Sequence, residues 1–505
     1  MPTETRYAVN PELAQAKFAT GPVNMLSMGD SISAMTSPRN LFYGIWRSWK
    51  VPNGWSGFFM PRSGASAEAL NNFDGTQAVS YSLPFANFSP ANGSNVTATT
   101  GSDNDFATSG DQPLSGTDNP LPLKWYKKAF TGVNTAYETF ATMFTGARGI
   151  SQFGEVCKAG DWITGKATDA IKVKLLHLGH ANAVTAGMAI NVKEGQGAVT
   201  GTNVDYSITP TTTPGLEWVT ASLPSTQVDQ DNAPGLTAAP LAVQYEGYGT
   251  VVPGTQMSST YLVAASNCNH TGCLQINHYK TTATDLTGKS HVHYGYSLED
   301  STNTTGFYYD SASVSGYTTQ SHIDNYTDTQ LANKLKVRGT SAALATNVVF
   351  MHIGENHTTA QWNGGSYSES LIRDGIMNMI AKVYRCAALA GIAQPLIILS
   401  SPWRTVGGTK SGSGWYPSVS SIMRGIARAN QNIVFVDTYQ WFADYFTTTE
   451  MYSATGNAFK GMLYDGVHPS YRGCVEWGRF LWQTMYGSGV PIISSPRSDR
   501  RGVRS

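Results

Sequence analysis

The chain carries two rhythms in different places, and this constrains its fold more than any other feature. Near the N-terminus, and again from about residue 340, short apolar runs end at Gly or Asp and lead into segments with helical spacing. Residues 23–28 (VNMLSM) break at Gly29-Asp30-Ser31, and Leu41, Phe42, Ile45, Trp46 and Trp49 then recur at helical intervals. A second strand is expected over 57–60 and a short helix over 66–73. The later part gives strands at 347–353, 395–399 and 433–436, with helices at 367–389, 417–429 and 469–486. Strands alternating with helices predict a parallel, doubly wound sheet.

Between about 75 and 330 the character changes. Thr, Ser, Asn and Gly dominate, and short alternating runs occur at 171–178, 216–223, 241–252 and 274–279. These predict antiparallel strands of a sandwich or jelly roll. The expected division is an N-terminal extension over 1–19, an α/β part over 20–74, a β-rich inserted region over 75–335, a second α/β part over 336–488 and an arginine-rich surface tail over 489–505.

Composition removes several classes of function. The 34 Lys and Arg balance the 34 Asp and Glu, so the basic excess of a nucleic-acid binder is missing. No apolar run approaches the roughly 18 residues of a membrane span. No basic segment followed by an apolar stretch opens the chain, so no signal peptide is expected. Charged residues make up only 13%, about half of the usual ~25%; such a surface, soluble through hydroxyls and amides, suits an extracellular or virion setting. Five cysteines (Cys157, Cys268, Cys273, Cys386, Cys474) are too few and odd in number for a disulfide framework, and Cys268 and Cys273 are read as reduced thiols. His291 and His293 are read as alternate residues of a strand rather than a metal pair.

Three groups can do chemistry. Ser31 follows a strand at the turn into a helix, where a nucleophile is displayed at the carboxyl edge of a parallel sheet. In Asp465-Gly-Val-His468-Pro469, the spacing lets a carboxylate fix the imidazole tautomer so that Nε2 can take a proton. Asn356, after the strand at 347–353, offers a side-chain amide to an oxyanion. Singly, each also reads as an ordinary turn residue.

Together these blocks resemble the SGNH (GDSL-type) hydrolases. Gly29-Asp30-Ser31-Ile32-Ser33 is similar to the family's first block, Ser63-Gly64-Ala65-Ser66 to the second, Ile353-Gly354-Glu355-Asn356 to the third and Asp465-Gly-Val-His468-Pro469 to the last. The resemblance covers about 20–73 and 340–488. It departs from the pattern at His357, where the family usually has an acid, and in the long separation of Gly64 from Asn356.

The resemblance implies a flavodoxin-like three-layer α/β/α domain with a large β-rich insertion. It implies a serine esterase in which Ser31 attacks an ester carbonyl, His468 moves the proton and Asp465 holds the imidazolium. The N–H groups of Ser31 and Gly64 and the amide of Asn356 would form the oxyanion hole. No metal or organic cofactor is needed, and Asp30 is expected to tie the nucleophile loop. Trp362, Trp403 and Trp415 are expected near the cleft as platforms for sugar rings, which favours O-acetyl groups on a polysaccharide. The alternatives are a lipase or thioesterase of the same family, or a virion structural or receptor-binding protein with a relic site. The outside-type composition without a signal peptide is similar in style to phage tail and tailspike proteins. Homo-oligomer or virion assembly stays open. Asn356-His357-Thr358 is also a glycosylation sequon; a glycan there would block the amide, so a eukaryotic secretory route is not expected.

Overall fold

The computed structural model describes residues 3–33, 171–194, 206–212, 215–222, 273–281, 285–300, 307–314, 316–336, 345–407, 410, 412–451, 462–463, 466–469 and 471–486, and the backbone of strands between 55 and 146. Its centre is a parallel sheet of Val23–Gly29 (β2), Phe307–Ser311 (β3), Val348–His352 (β4), Leu396–Ser400 (β5) and Ile433–Val436 (β6), in the order β6-β5-β4-β2-β3. A short strand Ala8–Val9 (β1) pairs antiparallel with β6. All residues of β2, β4 and β6 are buried. This is why their sequences read as continuous apolar runs: both faces of a parallel sheet are covered, so alternation disappears.

Helices Pro11–Thr20 (α1), Thr319–Asp324 (α2), Asp328–Lys336 (α3), Glu369–Ala390 (α4), Trp415–Ala429 (α5), Thr438–Tyr445 (α6) and Tyr471–Tyr486 (α7) flank the sheet. On one face, Leu26, Met28, Val349, Met351, Ile397, Leu399 and Phe435 share a core with the apolar stripes of α4 and α5. On the other, Phe350 and His352 meet Trp477 of α7, which in turn packs on α1. The fold is therefore the expected three-layer α/β/α arrangement. Local signals set the helix ends: Ser368 Oγ accepts from Leu371 N–H, and Gly391 closes α4 in the left-handed conformation.

Two elements differ from the sequence expectation. Glu68–Asn71 is a strand paired with Ala78–Tyr81, not a short helix; a cross-strand partner outweighs weak local helix propensity. The strand β3, which the sequence reading places inside the inserted region, lies in the parallel sheet between β2 and Trp55–Phe59. Buried Lys334 of α3 pairs with Asp310 of β3 at 2.5 Å and fixes that helix beneath it.

Beyond Trp55–Phe59 the same sheet continues antiparallel through Ser290–Asp300, Ile171–Gly179 and Gly215–Ser222. A separate five-stranded antiparallel sheet holds Cys273–Lys280 between Met188–Glu194 and Thr139–Gly146. His291 and His293 lie on the strand Ser290–Asp300, as alternation suggests. The expected helix at 41–49, the run at 241–252, Cys157, Cys268 and the tail lie outside the described residues. Among the described residues, Cys386 is a free, buried thiol, and no helix is long and apolar enough to cross a membrane.

Candidate active site

Ser31 follows the carboxyl end of β2. Its turn is tied by Asp30, whose Oδ1 accepts from Ile32 N–H at 3.0 Å, while Oδ2 accepts from Glu355 N–H at 3.3 Å in the loop after β4. One buried carboxylate thus locks the Ser31 and Asn356 loops together. Burial pushes the Asp30 carboxyl up to about 7, against the opposing pull of the Ile32 N–H. Ser33 Oγ donates to Ser313 Oγ at 3.0 Å, joining the same turn to the loop after β3. Gly29 admits no side chain: a Cβ there would meet the His352 carbonyl oxygen at 2.2 Å. That close approach lets β2 and β4 deliver their loops side by side.

The C-terminal loop brings His468 to this edge. It is pinned where Val406 and Gly407 N–H groups donate to the Gly466 carbonyl, at 3.0 and 3.1 Å, and where Leu463 bridges Pro469. Ser31 Oγ and His468 Nε2 stand 2.8 Å apart, 437 residues distant in sequence, both half-buried. A neutral imidazole with an unprotonated Nε2 can accept the hydroxyl proton at that distance.

Asn356 lies at the adjacent strand end, its Nδ2 donating to the Tyr317 carbonyl at 3.2 Å and its second amide hydrogen left for another acceptor. Gly354 holds a φ of +127° that favours glycine and so turns the chain out of β4. A cavity of about 270 Å³ opens here, lined by Gly316, Thr318, Glu355, Asn356, His357, Lys410 and Tyr416. Tyr416 donates to Glu355 Oε1 at 3.1 Å. Burial and then Lys410 lower the His357 imidazole below its ordinary range.

The three tryptophans are not platforms. Trp403 is fully buried against Phe442 and Trp477, Trp415 donates its indole N–H to the Gly354 carbonyl at 2.8 Å, and Trp362 is 6% exposed against Trp415. They follow β4 (Trp362) and β5 (Trp403 and Trp415), as the sequence predicts, but the apolar indoles turn inward to fill the layers behind the loops rather than outward to solvent. Asp465 and Gly64 lie outside the described residues.

Sequence reasoning missed Gly316 and Lys410. Gly316, with φ of +80°, follows β3, the neighbour of β2, and lines the cavity with Asn356. Its signal was a strand-like run at 307–311 ending at a serine- and glycine-rich turn, masked by the polar sequence around it. Lys410 sits in a glycine- and serine-rich loop with no periodicity to mark it.

No family model and no curated protein matches the chain. Among solved structures, the chain is similar to a peptidoglycan O-acetylesterase at 12% identity, covering 94% of this chain and 93% of that one, with a TM-score of 0.41. It is also similar to an acetyl-xylooligosaccharide esterase from Geobacillus, at 18% identity over 37% of this chain and 76% of that one, TM-score 0.25. A GDSL-like lipase from Bacteroides thetaiotaomicron shares 22% identity over 35% and 75% of the two chains, TM-score 0.22.

Proposed function

We propose that the protein is a serine esterase of the SGNH type that removes O-acetyl groups from a carbohydrate. The observation that carries this reading is the 2.8 Å contact between Ser31 Oγ and His468 Nε2, with Asp30 tying the Ser31 turn to the loop that carries Asn356. In the proposed reaction Ser31 Oγ forms a bond to the acetyl carbon while its proton passes to His468 Nε2. The negative oxygen of the tetrahedral intermediate accepts from the Ser31 N–H, the Asn356 side-chain amide and a glycine N–H. Gly64 is the glycine that the resemblance implies; Gly316 is a second candidate, because it follows the neighbouring strand and shares the cavity with Asn356. Collapse breaks the ester C–O bond, and His468 returns the proton to the departing sugar hydroxyl. Water then repeats the sequence on the acyl-enzyme and releases acetate. Asp465, from the resemblance, completes the triad.

The cavity favours a sugar over a fatty chain. Its lining is hydroxyl, amide, imidazole, carboxylate and ammonium, which suits a hydroxyl-rich ring and leaves an acyl tail without apolar contact. An extracellular or virion location belongs to the same proposal and rests on composition. The deciding experiment measures acetate release from a panel of acetylated polysaccharides, wild type beside Ser31→Ala, with labelling by a serine-directed phosphonate. We expect release by the wild type alone and label on Ser31. Undiminished release by Ser31→Ala would overturn the mechanism.

A further inference from the structure

Lys410 is an unusual group to find in the cavity beside the Asn356 loop. Its side chain is 5% exposed and lines the cavity that Asn356 also lines. Among the described residues its Nζ has no ion-pair partner and no hydrogen-bond acceptor; the Trp415 ring lies beneath it, 5.4 Å to the centroid. The lining carboxylate, Glu355, is already engaged by the Tyr416 hydroxyl and stands beyond ion-pair distance. It and Asp30 act on the ammonium only through space, partly offsetting the burial that lowers the lysine. His357 lines the same cavity, and its Nδ1 is buried without a hydrogen-bond partner. A lysine and a histidine that both lack a hydrogen-bond acceptor or donor partner at these nitrogens, among the described residues, thus line one cavity.

An ammonium at the wall of a cavity, on a side chain otherwise packed away from solvent and with no acceptor of its own, is better satisfied by an anion than by a neutral hydroxyl. We infer that this cavity takes the carboxylate of an acidic sugar, with Lys410 as the residue that selects it. The inference rests on the esterase reading and names its substrate class: an O-acetyl ester on a sugar unit that itself carries a carboxylate. One carboxylate oxygen accepts from Lys410 Nζ, and the second lies within reach of Thr318 or of His357. The acetylated hydroxyl of the same ring is then carried toward Ser31, because Asp30 ties the Ser31 turn to the loop of Glu355 and Asn356 that lines the cavity.

The test compares mono-O-acetylated methyl glucuronosides with their methyl esters, which match them in size but carry no charge. For wild type we expect kcat/KM to favour the acid by about tenfold to a hundredfold, the range of a hydrogen bond to a charged group. In Lys410→Met and Lys410→Gln that ratio should fall to about one; reading it within each variant makes it independent of overall turnover. Equal kcat/KM for acid and methyl ester in wild type, or a preference that survives both substitutions, overturns the inference. Calorimetry with glucuronate and its methyl ester on the Ser31→Ala protein reads the same selection without turnover. Failure to hydrolyse any ester, with selective glucuronate binding retained, sinks the esterase reading and keeps the anion site. Hydrolysis without selectivity does the reverse.

Discussion

Two histidines stand at the same edge of the sheet and have opposite fates. His352 ends β4 fully buried, its Nδ1 3.0 Å from Ser400 Oγ, in a chain that continues through Thr438 to the indole N–H of Trp477. Burial pushes it down to about 3. His468, on a loop rather than a strand, is half-buried and faces Ser31. Both sit among hydroxyls, so residue type does not separate them. Access does: an imidazole walled in by Trp477 can hold helix to sheet, whereas one at the rim can trade protons with a ligand.

This contrast can be broken most decisively at the rim. Ser31→Ala and His468→Ala should each lower kcat by roughly 10⁴-fold or more on an acetyl ester, whereas His352→Gln should leave the reaction running and lower the melting temperature. If His352→Gln removed activity in a folded protein as fully as His468→Ala, the division of roles would be wrong. Next in size is Trp403→Ala, expected to cost about 3–5 kcal/mol of stability through the cavity it leaves. Denaturant titration checks this, and a raised KM without lost stability would restore the platform role that its burial denies it. Asn356→Ala should lower kcat about 100- to 1000-fold with little change in KM.

The smallest effect is one of pH. His352 and His322 are held near 3 and 4 in the folded chain, against 6.5 when unfolded. As pH falls below 6.5 the unfolded chain takes up two protons that the folded chain refuses, so their contribution to stability is lost toward pH 4. Asp30 opposes them: held up at about 7, it keeps a proton that the unfolded chain releases, so its contribution fades as pH rises from 4 to 7. Two groups against one predict a melting temperature that climbs from pH 4 to 6.5. His352→Gln should flatten that climb, and an unchanged slope would mean that His352 titrates normally.

Much of the α/β part was legible because its signals are local. The runs at 23–28, 347–353, 395–399 and 433–436 became β2, β4, β5 and β6 with boundaries shifted by a residue or two. A strand buried on both faces leaves no other reading for so short an apolar stretch. The strand β3 was not legible, since FYYDS next to ASVSG resembles its polar surroundings; only pairing with β2 marks it as part of the sheet. The tryptophans failed for the same reason. Their positions after strands were read correctly, but which way an indole turns depends on the helices packed against it.

By itself the sequence determined that Ser31, Asn356 and His468 would each stand where a strand or a loop reaches one sheet edge, because strand ends and turn residues are written locally. Only the tertiary structure decided that Ser31 and His468 touch, that Gly316 and Lys410 join Asn356 around one cavity, and that three indoles face inward. Those are contacts between segments tens to hundreds of residues apart, set by packing volume and burial, which no local pattern encodes.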